Sequence, residues 1–298
     1  MVISIRRILA ATDLSGCAAH AETRAAMLCS ELKGNALELL TVIDASLPGS
    51  LARLVSGTQE SAETSLAEHS ANDLKRIALR LQNEIGINCD YSVEFGRPAT
   101  RIASKADALS ADLIVVGAHG CNSVNSVFLG NTPYKLLHIG KRSLLIVKNS
   151  PTHAYRDILV PVDFSEHSRR AAQTALAIAP NADVTLLHGF EVVNEGLMRY
   201  SGVTNDYIRG YRTEASENAV RDMERFVSAL EKGDRMVSSI VQFGYAPLII
   251  QEYADRFKPD LIVIGKHGKS RVEDFLLGSV TRHSIDETTC DILVTVST

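Results

Sequence analysis

The chain has 298 residues, 45% hydrophobic and 22% charged, with a formal net charge of −4, which is the make-up of a globular protein with room for two domains. That acidic balance argues against nucleic acid as a main partner, because backbone binding needs concentrated positive charge. A small phosphorylated ligand, which needs only a local site, stays open.

No apolar run approaches membrane-spanning length, and the stretch MVISIRRILAATDLSG lacks a signal peptide's long apolar core. The five cysteines form no C-x-x-C pair. The expectation is a cytoplasmic protein with reduced thiols, without disulfides, a zinc site or a membrane partner.

In chain order, ILAAT (8–12) is a short apolar run, the pattern of a buried strand. Asp13 follows it, and Ala21, Ala25, Leu28 and Leu32 then recur at helical spacing. LELLTVI (37–43) predicts a second strand, followed by a helix near 61–84, a strand over Tyr91–Phe95 and another helix. DLIVVG (112–117) reads as a core strand leading into a glycine loop, a helix and a closing strand over Leu144–Val147.

The second half repeats this order. ILVPV (158–162) leads to Asp163, with Ser165 placed as an N-cap before Ala171, Ala172, Ala175, Leu176 and Ala179. Then come VTLLHGF (184–190), a helix near 213–231, a strand over Ser239–Phe243, DLIVIG (260–265), a glycine loop and a strand over Ile292–Val296.

Asp13 and Asp163 stand 150 residues apart, and Gly117 and Gly265 stand 148 apart. A repeat this long is a duplicated domain. The polar stretch NSPTHAY (149–155) is the expected linker, giving domains 1–150 and 151–298. Alternating strands and helices imply a doubly wound α/β fold: a parallel sheet covered on both faces, with ligands at the carboxyl ends of its strands.

Both glycine loops have the spacing G-x2-G-x9-G: Gly117, Gly120 and Gly130, then Gly265, Gly268 and Gly278. Glycine allows a ligand close to the backbone, and a loop of exposed N–H groups can cradle phosphate oxygens. The third glycine is placed at a helix start, where Ser279, or Asn131 with Thr132, would meet an anion favoured by the helix end. Lys269 and Arg271 add positive charge in the second loop only. The plain alternative is a pair of strand–helix turns with no ligand.

His119 and His267 occupy matching positions and read as loop-packing residues, for lack of an acid–base partner set. There is no P-loop, no G-x-G-x-x-G after a first strand and no G-x-S-x-G elbow. No catalytic residue and no metal ligand is assigned.

ILVPVDFS (158–165), DLIVIGKHGKS (260–270), LLGSV (276–280) and DILVTV (291–296) resemble the universal stress proteins. ILAATDLS, DLIVVGAHGC and LGNT give looser versions in the first half, so the overall likeness is to the tandem form. The resemblance implies a five-stranded parallel sheet with helices on both faces in each half, an adenine nucleotide alpha hydrolase-like fold. It implies adenine and ribose near Asp163, with Pro161 and Val162 leading into it, and near Asp13, with the backbone at Gly189 and Val42 lining the pocket.

The phosphates would lie on Gly265, His267, Gly268, Gly278, Ser279 and Val280, and in the first half on Gly117, His119, Gly120, Gly130, Asn131 and Thr132. The family motif has Ser or Thr where Asn131 stands, and residues 121–129 contain no Lys or Arg. Domain 2 is therefore expected to hold the better site for ATP or another adenine nucleotide, with or without Mg2+. The alternatives are a slow ATP hydrolase and a nucleotide-free scaffold. The resemblance also implies a pseudo-two-fold pair of domains joined through their last strands, and leaves a further homodimer open.

Overall fold

The first half runs β1 (Arg7–Ala11), α1 (Ala18–Leu32), β2 (Ala36–Ile43), α2 (Gln59–Ile85), β3 (Asp90–Phe95), α3 (Pro98–Ala108), β4 (Leu113–Gly117), α4 (Asn131–Ile139) and β5 (Ser143–Val147). The second half runs β6 (Asp157–Pro161), α5 (Glu166–Ile178), β7 (Asp183–Phe190), α6 (Glu195–Tyr200), α7 (Asn205–Ser228), β8 (Val237–Phe243), α8 (Ala246–Phe257), β9 (Leu261–Gly265), α9 (Ser279–Glu287) and β10 (Asp291–Thr295). The structure, a computed structural model, describes residues 3–33, 36–45, 58–118, 130–192, 195–268 and 277–296.

Local chemistry sets the helix ends. Thr58 caps α2 by accepting the Ser61 N–H at 3.2 Å, and Gly86 ends it in the left-handed region at φ 80°. Ser165 caps α5, as expected, by accepting the Ser168 N–H at 3.2 Å. The helix expected near 213–231 begins earlier, at Asn205, because Thr204 caps it by accepting the Tyr207 N–H. Apolar periodicity misses that polar first stretch, whereas the cap finds it.

All ten strands form one sheet in the order β3-β2-β1-β4-β5-β10-β9-β6-β7-β8. Within each half every pairing is parallel. Alternate strand residues bury on opposite faces. Ile8 and Ala10 pack with Ala21, Ala25 and Leu28 of α1 on one face, which continues into the Ala171, Ala172 and Ala175 stripe of α5. Leu9, Ile114 and Val116 pack with Ile102 of α3 and Leu136 of α4 on the other, continuing into Ile249 of α8 and Ile285 of α9.

The halves join where β5 meets β10, antiparallel, with Leu145 opposite Leu293. The two exposed last edges thus cover each other, removing a liability that each would carry alone. Polar groups lock this seam. The Asp291 carboxylate accepts the Lys148 N–H at 2.8 Å, the Asn149 N–H at 3.2 Å and the Tyr155 hydroxyl at 2.7 Å. Burial pushes the Asp291 carboxyl above its usual range.

Arg24 of α1 lies 3.7 Å from Asp291, donates to the His153 carbonyl at 2.9 Å and stacks its guanidinium 3.9 Å from the centre of the Tyr155 ring. The stretch read as a polar linker is therefore built into the seam: Tyr155 is only 2% exposed.

Candidate functional site

Strand order reverses between β1 and β4, and again between β6 and β9. Ligands of such sheets bind outside the carboxyl ends at this reversal, and both glycine loops leave the sheet there.

The turn after β6 carries Asp163, whose Oδ1 accepts the Ser165 N–H at 3.0 Å. Asp13 does the same with the Ser15 N–H at 3.1 Å. Ser165, not Asp163, caps α5, and the Asp163 Oδ2 lies on the side of Gly268. Pro161 ends β6 and is buried, and so is Val162. Between the carboxylate and the helix, Phe164 and Leu14 each sit at φ 64°. A non-glycine residue held there costs on the order of 1–3 kcal/mol, strain that collects at functional sites.

The second glycine loop comes to meet this turn. A Cβ placed on Gly268 would lie 2.7 Å from Asp163 Oδ2, so a side chain there would displace the carboxylate. On Gly265 a Cβ would lie 3.0 Å from the His167 Cβ and 3.1 Å from the His267 carbonyl oxygen. The rings of His167 and His267 face each other edge-on at 5.7 Å. His167 was not singled out from the sequence. Its signal was its place in the first turn of α5, four residues after Asp163, on the side the loop approaches.

The loop returns at Gly278, whose N–H donates to the Lys266 carbonyl at 3.1 Å, and α9 begins at the next residue. Glycine at the N-cap has no side chain to satisfy the first-turn N–H groups of Ser279, Val280 and Thr281. The Thr281 hydroxyl ties this turn to the Gly265 carbonyl at 2.8 Å. Ser279 is exposed and Val280 half-buried. Near the carboxyl end of β7, a Cβ on Gly189 would stand 3.0 Å from the Ala246 Cα.

Domain 1 reproduces part of this frame. Gly117 ends β4, and the Gly130 N–H donates to the Ala118 carbonyl at 2.8 Å before α4 starts at Asn131. Asn131 and Thr132 sit in the first turn of α4, followed by Pro133, which has no N–H. By strand register Val42 takes the place of Gly189. His119, Gly120, Cys121, Lys269, Arg271, Glu273 and Asp274 lie outside the described residues. Among the described residues no group of three or more His, Cys, Asp or Glu side chains could hold a metal ion, and no helix is long and apolar enough to cross a membrane.

Comparison with known proteins agrees with the duplicated frame. The profile of the Universal stress protein family matches residues 4–148 and again 154–296. Universal stress protein MJ0577 of Methanocaldococcus jannaschii is 28% identical over 155 residues, covering 47% of this chain and 94% of that protein. Universal stress protein MJ0531 of the same organism is 29% identical over 150 residues, covering 50% and 86%. The crystal structure of a universal stress protein from Archaeoglobus fulgidus covers 97% of this chain and 98% of its own, with a TM-score of 0.71 at 17% identity. At that identity the likeness speaks for the fold, over both halves at once.

Proposed function

The chain belongs to the universal stress protein family and carries two of its domains in tandem, and from that premise we propose that it is a cytoplasmic stress-response protein that binds an adenine nucleotide, with its better site in domain 2. The observation that carries this reading is the meeting of Asp163 with Gly268, where a Cβ would stand 2.7 Å from the carboxylate. Two segments far apart in sequence converge there, one suited to ribose hydroxyls and one to phosphate.

The residues fit such a ligand. Gly265 and Gly268 keep the loop backbone bare, so its N–H groups can be approached closely. The capless first turn of α9 offers the N–H groups of Ser279, Val280 and Thr281, with the Ser279 hydroxyl beside them, to an anion at a helix N-terminus. Asp163 would orient the ribose, and Gly189 would let the base lie against the end of β7. The nucleotide itself would supply the negative charge that these groups await.

Domain 2 is preferred on donor count. The first turn of α4 offers Asn131 and Thr132 but not a third N–H, because Pro133 stands where Thr281 does. Lys269 and Arg271 also fall in the second loop, whereas residues 121–129 carry no cation. The unpaired thiols of Cys17, Cys29, Cys89 and Cys290 suit a reducing compartment.

Titration of the full chain with ATP tests the reading. The expected result is binding in domain 2 that Gly268→Val abolishes, by blocking approach to the loop backbone and displacing the Asp163 carboxylate, while the far-UV spectrum is unchanged. Unaltered affinity in that variant would place the site elsewhere, and steady-state phosphate release above background would make the protein a hydrolase.

A further inference from the structure

Helix α9 starts at the Ser279 turn of the domain 2 site and ends at the seam, against domain 1. Its last carbonyls have no partners within the helix. Domain 1 provides them: the Lys148 ammonium donates to the Ile285 carbonyl at 2.8 Å and to the Thr288 carbonyl at 2.5 Å. A cation at a helix C-terminus also complements the helix dipole. In the same last turn, the Tyr134 hydroxyl of α4 donates to the Asp286 carboxylate. Within domain 2, the Thr288 hydroxyl closes on the Ser284 carbonyl at 2.6 Å, so the last turn is compact and leaves the outer carbonyls to Lys148.

The arrangement runs one way. Val296 stands in domain 2 where Lys148 stands in domain 1, so the matching position supplies no ammonium to the end of α4. There the Gly140 N–H closes the helix on the Leu136 carbonyl at 2.7 Å. Lys148 also follows Val147, whose carbonyl accepts the Ala118 N–H at 2.9 Å, the first amide after Gly117 in the domain 1 glycine loop. The Thr295 carbonyl likewise accepts the Lys266 N–H at 2.9 Å, so each last strand holds the loop of its own domain, and Lys148 adds a hold on the helix of the other.

We propose that Lys148, assisted by Tyr134, is a positioning residue for the domain 2 nucleotide site, holding α9 from across the seam so that its first turn meets the phosphates. This rests on the nucleotide reading above. A short helix pinned at Gly278 and Thr281 on one side and by Lys148 on the other has little freedom to tilt. Releasing the far end lets the Ser279 turn move against the loop. Adenosine, which lacks phosphates, does not use that turn.

The test uses the full chain with ATP and adenosine as probes. In Lys148→Met the expected result is ATP affinity about tenfold weaker, the scale of a lost charge–helix contact, with adenosine affinity unchanged. Lys148→Arg, which can still donate to both carbonyls, restores ATP binding. Tyr134→Phe gives a smaller loss of the same kind, and it decides the matter if the methionine variant does not fold. Equal ATP affinity in the variants, or equal loss of ATP and adenosine, overturns the proposal.

Hydrogen exchange at the α9 amides provides a readout without nucleotide. It should quicken in Lys148→Met, and unchanged exchange counts against the proposal. Failure of the parent protein to bind either ligand sinks the nucleotide reading alone, and exchange then decides whether Lys148 sets α9.

Discussion

Leu14 in domain 1 and Phe164 in domain 2 hold the same left-handed backbone, φ 64° in each, on different supports. In domain 1 the support is polar. The Thr12 hydroxyl accepts the Leu14 N–H at 3.0 Å and donates to Glu22 at 2.6 Å, and Arg80 closes on the other Glu22 oxygen at 2.8 Å. The Thr41 hydroxyl donates to the Thr12 carbonyl at 2.5 Å.

In domain 2, Val162 and Ala172 replace Thr12 and Glu22, and His188 replaces Thr41 by register, donating from Nδ1 to the Val162 carbonyl at 2.7 Å. The Phe164 ring packs 4.2 Å from the His188 ring and 5.8 Å from Phe226. One strained turn can thus be held by a buried charge network or by ring packing. The two supports differ in charge: domain 1 buries the Glu22 carboxylate near Asp13, where domain 2 carries Ala172.

The seam carries the sharpest difference between the halves, and breaking it should have the largest effect. Asp291 gathers Arg24, Tyr155 and two backbone N–H groups, whereas its counterpart in β5 is Ser143. Asp291→Ala should cost about 3–5 kcal/mol, because Arg24, 5% exposed, loses its ion-pair partner in the seam and the Tyr155 hydroxyl and two backbone N–H groups lose their acceptor. Ser143→Ala should cost no more than about 0.5 kcal/mol. Urea unfolding of the full chain measures both, and similar losses in the two variants would mean that the seam is apolar in effect and the charges incidental.

How far these features were legible follows from their physics. The repeat, the alternation of strands and helices and the start of α9 at Ser279 came from apolar runs and glycine spacing, which act locally, whereas the spatial order of the strands was not read from the sequence. The pairing of β5 with β10 came from the family resemblance, with the apolar last strands in support. The left-handed residues were hidden, because Leu and Phe do not announce a positive φ as glycine would. The roles of Lys148 and Asp291 were hidden as well, since each depends on a partner more than a hundred residues away. Thr12, Glu22 and Arg80 read as a strand end and two ordinary helix positions, and only the packing of α2 over α1 makes them a network.

The matched positions Gly189 and Val42 give the next comparison. Gly189→Val should overpack domain 2, since its Cβ would meet Ala246 Cα at 3.0 Å, Ala246 Cβ at 3.2 Å and Ile249 Cδ1 at 3.1 Å. The expected cost is about 1–3 kcal/mol, with loss of nucleotide binding as α8 is pushed from β7. Domain 1 already carries valine there, packed against the core, so Val42→Gly should lower stability by about 1–2 kcal/mol through lost burial and backbone freedom, without displacing a helix. A crystal structure of Gly189→Val with α8 unmoved would show that the contact is softer than its distances indicate.

Glu22 should give the smallest effect, and pH brings it out. Burial raises the Glu22 carboxyl above its ordinary 4.5, against the opposing pull of the Thr12 hydrogen bond and Arg80. The folded protein therefore binds that proton more tightly than the unfolded chain does. Its stabilising contribution is fully present below the ordinary value and is lost as pH rises through the raised one. Glutamine at this place behaves as a carboxyl that never ionises and can still accept from Thr12. At neutral pH Glu22→Gln should stay within about 1 kcal/mol of the parent, the scale of one altered hydrogen bond to Arg80. Across the window just above pH 4.5 the parent should lose stability relative to the variant, so the two curves diverge as pH rises. Ala172→Gln offers no such comparison, because no carboxylate is removed. Urea midpoints measured through that window decide the matter: parallel curves would show that Glu22 titrates alike in both states, and that the charge near Asp13 does not set the two halves apart.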